Sequence, residues 1–194
     1  MKSLSLSRPH AIIMVGIPGS GKSFFAEKFA ETFNAPYVSH HKIADISGLT
    51  DQDAVSSLAN DQIDELMKTT QSIVIEGGAD TRIGRADLTK KLHKAGYEPL
   101  MVWVQTDPAT AKLRTTKPSK KQTNRHLSDD EHDRLTRRFT APHDKDNVIV
   151  ISGKHTYASQ VKVVLKKLSG PRAEISTHAT PPTRSFSDIR RPRQ

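Results

Sequence analysis

Gly16-Ile17-Pro18-Gly19-Ser20-Gly21-Lys22-Ser23 is a full match to G-x-x-x-x-G-K-[ST] and stands between two segments of different periodicity. Ala11-Ile12-Ile13-Met14-Val15 runs into it as a short apolar strand. After it, Ala26, Phe29, Ala30 and Phe33 recur at helical spacing between Ser23 and Phe33. A glycine-rich turn joining a strand to a helix lets consecutive backbone N–H groups turn inward around phosphate oxygens. The helix N-terminus adds a partial positive charge there, and the lysine reaches the outer phosphates. The motif predicts a nucleoside triphosphate held by Gly16, Ile17, Pro18, Gly19, Ser20, Gly21, Lys22, Ser23 and the adjoining Phe24, with Mg²⁺ on the Ser23 hydroxyl.

The 194 residues suffice for one domain with attachments and a sizeable core. The chain has no cysteine, which excludes disulfides, thiolate metal sites and a cysteine nucleophile. No stretch approaches the roughly 18 apolar residues of a membrane span, and the N-terminal apolar run is too short for a secretory signal. A cytoplasmic protein without membrane attachment is expected. The net charge of +9 is concentrated in two places. Residues 111–138 hold nine Lys or Arg against four acids, and residues 169–194 hold five Arg against two. Two basic segments on a near-neutral body are therefore encoded.

Residues 1–10 read as a polar lead-in. Strand-like runs recur at 11–15, 36–39, 72–76, 99–105 and 147–152, with helical patterns between them, which predicts a three-layer α/β/α fold around a five-stranded parallel sheet. Thr50 with Asp53 signals one helix start, Thr81 another whose helix closes at Gly96, and Pro108 a third. Ser128 and Glu131 have capping-box spacing. A last helix carries Val161, Val164, Leu165 and Leu168 on one stripe and stops before Gly170-Pro171. The main domain thus spans 11–168. Residues 169–194, rich in Pro, Arg, Ser and Thr, read as a basic disordered tail whose role is solubilising or, through Arg190-Arg191-Pro192-Arg193, contact with an acidic partner.

A phosphate loop alone does not separate GTPases, mechanical ATPases and kinases. No Asn-Lys pair is present for guanine selection, and Asp45-Ile46-Ser47-Gly48, a loose Asp-x-x-Gly match, follows no apolar strand. Only one acid, Glu76, ends the third strand, and there is no room for a second arginine-bearing domain. A small kinase remains.

The residues after the third strand, Ile73-Val74-Ile75-Glu76-Gly77-Gly78-Ala79-Asp80-Thr81-Arg82 with Arg85 behind, join Ala95-Gly96-Tyr97, Leu100 to Val104, Thr106-Asp107-Pro108 and Lys112-Leu113-Arg114 in a recognisable order. With Leu127 to Pro142, this order resembles the P-loop kinases of the polynucleotide-kinase-like and zeta-toxin-like group, related to nucleoside monophosphate kinases. The resemblance spans residues 11 to about 168. It implies ATP and Mg²⁺ as cofactors and a basic lid over about 114–138 that closes on the nucleotide. Within the lid, Arg114, Arg134, Arg137 and Arg138 suit phosphate better than Lys117, Lys120 and Lys121, because a guanidinium fork matches phosphate geometry. Arg134 and Arg138, four apart, share a helix face and are expected to be catalytic with Lys22, while Arg114 binds nucleotide. Glu76 is expected to complete the Mg²⁺ shell with Ser23, or else to be a strand-end acid facing solvent. Arg82 and Arg85 are candidates for acceptor or phosphate contact, or plain surface residues.

The chain departs from the group after the second strand. Related kinases that phosphorylate a hydroxyl place an aspartate there with an arginine three residues on; Ser39-His40-His41-Lys42-Ile43-Ala44 puts His41 at the aspartate position and Ala44 at the arginine position. A neutral imidazole can take a hydroxyl proton, so His41 is the expected base. The expected function is transfer of the ATP γ-phosphate to a hydroxyl of a nucleic-acid end, a nucleoside or a small molecule. A non-catalytic ATP-binding switch or adaptor of the same fold is the alternative, and a toxin-like kinase acting on a sugar nucleotide is a third reading. No third ligand accompanies His40 and His41 at a metal-binding spacing.

Overall fold

The structure, a computed structural model, describes residues 6–117, 126–143 and 146–169. The segments 118–125, with Lys120 and Lys121, and 170–194, with Gly170-Pro171 and the arginine-rich terminus, lie outside the described residues. Five strands form one sheet: β1 (His10–Val15), β2 (Tyr37–Ser39), β3 (Ile73–Glu76), β4 (Glu98–Gln105) and β5 (Val148–Ser152). They lie in the order β2-β3-β1-β4-β5, and every pairing is parallel. Helices α1 (Lys22–Phe33), α2 (His40–Ser47), α3 (Gln52–Met67), α4 (Arg82–Lys94), α5 (Pro108–Thr116), α6 (Asp129–Arg138) and α7 (Tyr157–Leu168) connect or follow them.

The strands are apolar on both sides because both faces of the sheet are covered. Ala11, Ile13 and Val15 of β1 join Ile73, Ile75 and Met101 in a core with Ile43 of α2, Val55, Ala59 and Ile63 of α3, and Leu88 and Leu92 of α4. The alternate residues Ile12, Met14, Val74, Leu100, Val102 and Val104 face Phe25, Ala26 and Phe29 of α1 and Val164 of α7. The central strand β1 sits where strand order reverses, with β3 on one side and β4 on the other. The crevice at the carboxyl ends of the strands opens there, at the loop after Val15.

Helix starts follow local hydrogen bonding. Thr81 caps α4, Asp107 caps α5 with Pro108 in the first turn, and Ser128 forms a reciprocal capping box with Glu131. At α3 the expectation of Thr50 is corrected: Asp51 is the cap, its carboxylate accepting from the Asp53 N–H at 3.1 Å, and a carboxylate at this position also complements the helix dipole. The α2 helix, capped by Ser39, is an addition that sequence patterning did not register.

Arg85 is also corrected. It is neither a phosphate contact nor a surface residue, being only 2 % exposed. Nη1 donates to the carbonyls of Ala79 (3.2 Å) and Thr140 (2.8 Å), Nη2 donates to Ala141 (3.0 Å), and Nε lies 3.7 Å from Asp146. It pegs the chain leaving α6 onto the start of α4. Arg85→Ala should therefore destabilise the fold by about 3 kcal/mol, since it removes three charge-assisted hydrogen bonds, leaves the buried Ala79 carbonyl without its guanidinium donor and empties a buried site. Urea unfolding followed by circular dichroism would measure this, and an unchanged midpoint would show that the peg carries no stability.

Candidate active site

The loop between β1 and α1 is held from three sides. Thr106, just past β4, donates Oγ1 to the Ser20 carbonyl at 2.9 Å. Arg114 of α5 donates Nη1 to the carbonyls of Gly19 (3.3 Å) and Gly153 (3.2 Å), tying the loop to the turn after β5. Gly153 approaches so closely that a Cβ there would lie 1.9 Å from the Ser20 carbonyl oxygen. Gly19 and Gly21 take positive φ of 78° and 106°, which glycine adopts without strain, and the Ser20 N–H closes the turn on the Ile17 carbonyl at 3.2 Å.

The interior of this loop fits a polyphosphate. Ser20 is fully buried, and its Oγ has no hydrogen-bond partner among the described residues. Lys22 bends back to donate Nζ to the carbonyls of Gly16 (2.8 Å) and Ile17 (3.0 Å), with no carboxylate beside it among the described residues. An ammonium satisfied only by loop carbonyls is ready to exchange them for phosphate oxygens. Phe24, by contrast, is 54 % exposed.

Ser23 and Glu76 meet because β3 lies beside β1: Ser23 Oγ donates to Glu76 Oε1 at 2.7 Å. The solvent-facing alternative for Glu76 is overturned, because it is 3 % exposed at the end of β3. Tyr37, on the neighbouring strand, donates its hydroxyl to Glu76 Oε2 through a short bond. Burial, reinforced by the Glu76 charge, pushes the Tyr37 phenol far above its ordinary value, so it remains a donor. Among the described residues Glu76 has hydroxyl donors and no cation, a setting that suits Mg²⁺, which binds through one or two protein oxygens plus substrate phosphates. Among the described residues no third His, Cys, Asp or Glu joins His40 and His41 in a group that could hold a metal.

The two histidines open α2 and are placed differently. His41 is exposed. His40 is half-buried and packs its ring on the loop after Glu76; a Cβ on Gly77 would lie 2.4 Å from its Cγ, and a Cβ on Gly78 would lie 3.7 Å from its Nε2. Desolvation lowers the His40 pKa below the ordinary 6.5, against the attraction of Asp80 and Glu76, so its imidazole is neutral at pH 7. Arg82, in the first turn of α4, is exposed.

Of the expected lid, about 114–138, the described residues form the end of α5 and all of α6, two helices joined by Lys112 Nζ donating to both Asp133 oxygens at 2.9 Å. Arg114 contacts the phosphate loop directly, whereas Arg134, Arg137 and Arg138 of α6 are exposed and have no partner among the described residues. Phe139 follows them and packs on Trp103 with ring centroids 6.3 Å apart. Beside this pair a cleft of about 540 Å³ runs past Gln105, Val150 and Lys154 to Ile17 of the phosphate loop.

Sequence reasoning gave no role to Tyr37 or Gly153, quoted Thr106 only within a longer motif, and weighed His40 only as a metal ligand or an exposed residue. Tyr37 and Thr106 depend on strand register, which a single chain does not display. Ser152-Gly153-Lys154 offered a weak signal, a glycine directly after the last strand.

A family model described as an AAA domain matches residues 12–142. No curated protein matches the chain. Among solved structures, a gluconokinase from Sinorhizobium meliloti is 17 % identical, covers 82 % of this chain and 91 % of its own, and has a TM-score of 0.60. Kti12 of Chaetomium thermophilum in complex with ADP-AlF3 is 12 % identical over 82 % of this chain and 100 % of its own, at a TM-score of 0.65. The Pnkp1/Rnl/Hen1 RNA repair complex is 18 % identical over 68 % of this chain but 44 % of that chain, at 0.58. At these identities the neighbours are similar in fold.

Gly153→Ala would force its methyl into the Ser20 carbonyl and Thr106 Oγ1 and so displace the loop amides. ADP affinity should fall by on the order of tenfold or more, with circular dichroism unchanged. Titration calorimetry measures it; undiminished affinity would show that the turn after β5 does not shape the loop.

Proposed function

This chain belongs to the AAA domain family, and on that premise we propose that it is an ATP- and Mg²⁺-dependent phosphotransferase acting on a hydroxyl. The observation that carries the reading is the joining of Lys22, Ser23 and buried Glu76 at the carboxyl ends of β1 and β3. An acceptor would reach the outer phosphate from the ends of β2 and β3, where the histidine pair lies, since the cleft beside Ile17 is lined by the ends of β4 and β5 on the other side of β1. Its hydroxyl oxygen forms the new bond to the γ-phosphorus as the bond to the bridging oxygen of ADP breaks. The hydroxyl proton passes to an imidazole of the His40-His41 pair, of which His40 is the member turned inward. Lys22 follows the γ-phosphate, and Arg134 and Arg138 meet its spreading charge as the lid closes. When bound, Mg²⁺ neutralises phosphate oxygens next to Ser23 and Glu76. Neighbours that include a gluconokinase and an RNA repair complex support an acceptor drawn from nucleic-acid ends, nucleosides or small molecules.

A second reading, an ATP-binding switch or adaptor without transfer, is favoured by one observation: the first turn of α2 carries no acid, and His41 is exposed. The two readings separate on incubation with γ-labelled ATP and a panel of hydroxyl acceptors. Label should enter an acceptor and vanish in Lys22→Ala. Arg134→Ala or Arg138→Ala should lower kcat by on the order of 10³-fold while leaving nucleotide binding nearly intact. ATP binding with no label in any acceptor would support the switch.

The histidine assignment has its own pH signature. A base works only when unprotonated, and burial lowers the His40 pKa, so the acid limb of kcat should have its midpoint below pH 6.5. His40→Ala should remove that acid limb and cost on the order of 10²-fold in kcat, read from pH–rate profiles. The same outcome from His41→Ala alone would move the role to the exposed neighbour.

A further inference from the structure

Resting on the function proposed above, we propose that Tyr37 is a positioning residue for the metal shell, holding one oxygen of Glu76 so that the other stays on the Ser23 hydroxyl. In the register of β2 against β3, Tyr37 lies opposite Val74 and Ser39 opposite Glu76. Tyr37 is thus the diagonal neighbour of Glu76 on the same sheet face, within reach of a long aromatic side chain. That face is the one covered by α1, which carries Ser23. The ring is braced from outside: Lys42 Nζ sits 4.9 Å from its centroid and is itself held at 3.0 Å by Glu27 of α1.

The consequence is directional. A glutamate has one more rotatable bond than an aspartate, so its carboxylate needs a second anchor to keep one orientation. With Oε2 committed to the Tyr37 hydroxyl, Oε1 accepts the Ser23 proton. A serine that gives its proton to a carboxylate presents only lone pairs to the loop, which is what a hard cation takes. Without the phenolic hydroxyl, Oε2 would be a buried acceptor lacking that donor, and the carboxylate would turn away from Ser23.

The test separates nucleotide binding from its enhancement by Mg²⁺. ADP affinity is measured by calorimetry in EDTA and in Mg²⁺, and the ratio is the readout. Tyr37→Phe keeps the ring; it should leave the EDTA affinity within about twofold and reduce the Mg²⁺ enhancement by on the order of tenfold. In a Glu76→Gln background the same substitution should add nothing further, because its effect passes through the carboxylate. A merely structural role would weaken both affinities together and equally in both backgrounds. An unchanged ratio, or an equal effect beside Glu76→Gln, overturns the proposal. Should Tyr37→Phe fail to fold, the wild type still decides. The chain has three tyrosines, and with ¹³C-labelled tyrosine the Tyr37 ring signal should move when Mg²⁺ joins ADP and not with ADP alone. A signal indifferent to Mg²⁺ overturns it too. A lost ratio without phosphoryl transfer keeps this inference and sinks the kinase; transfer with an intact ratio does the reverse.

Discussion

A turn of backbone amides at the carboxyl end of β1 must keep its shape without the ladder of a strand, and much of the molecule serves that need. The reversal of strand order about β1 opens the crevice in which the turn lies. Thr106 from the end of β4, Arg114 from α5 and Gly153 from the end of β5 then fix its outer carbonyls. Each brace comes from an element distant in sequence, so the loop's form is a property of the whole sheet. Lys22 satisfied on the loop's own carbonyls and an unpartnered Ser20 hydroxyl are what such a pocket presents to an anion.

Charge is arranged around that pocket by burial. Glu76, nearly free of solvent, is stabilised by two hydroxyl donors, a weaker substitute for a cation. Beside the loop that follows Glu76, burial keeps His40 neutral. The α6 arginines stand exposed on a helix tied to α5 through Lys112 and Asp133, an arrangement that keeps cationic groups solvated on a separate element. A closing lid would bring such charges into a drier site, where they act more strongly on phosphate oxygens.

Much of this was readable from residues in order. The strand runs, the capping pair Ser128 and Glu131, Pro108 and Thr81 are local signals, and local hydrogen bonding places them where they were expected. Asp51 displaced Thr50 as a cap because adjacent capping residues compete and patterning does not choose between them. Arg85 misled for a different reason: an arginine behind a strand end has the same appearance whether it grips phosphate or three backbone carbonyls. Of two adjacent histidines, resemblance singled out His41, while the turn of α2 sends His40 against Gly77.

Residue order alone specified the phosphate-loop motif and the alternation of strands and helices, since both depend on spacing along the chain, while the resemblance left two settings open for Glu76. The tertiary structure alone decided what surrounds them: that Tyr37 reaches Glu76, that Gly153 abuts Ser20, and that Arg85 is buried. Those facts depend on strand order and register, which bring together residues 39, 133 and more than 50 positions apart through the packing of both sheet faces at once.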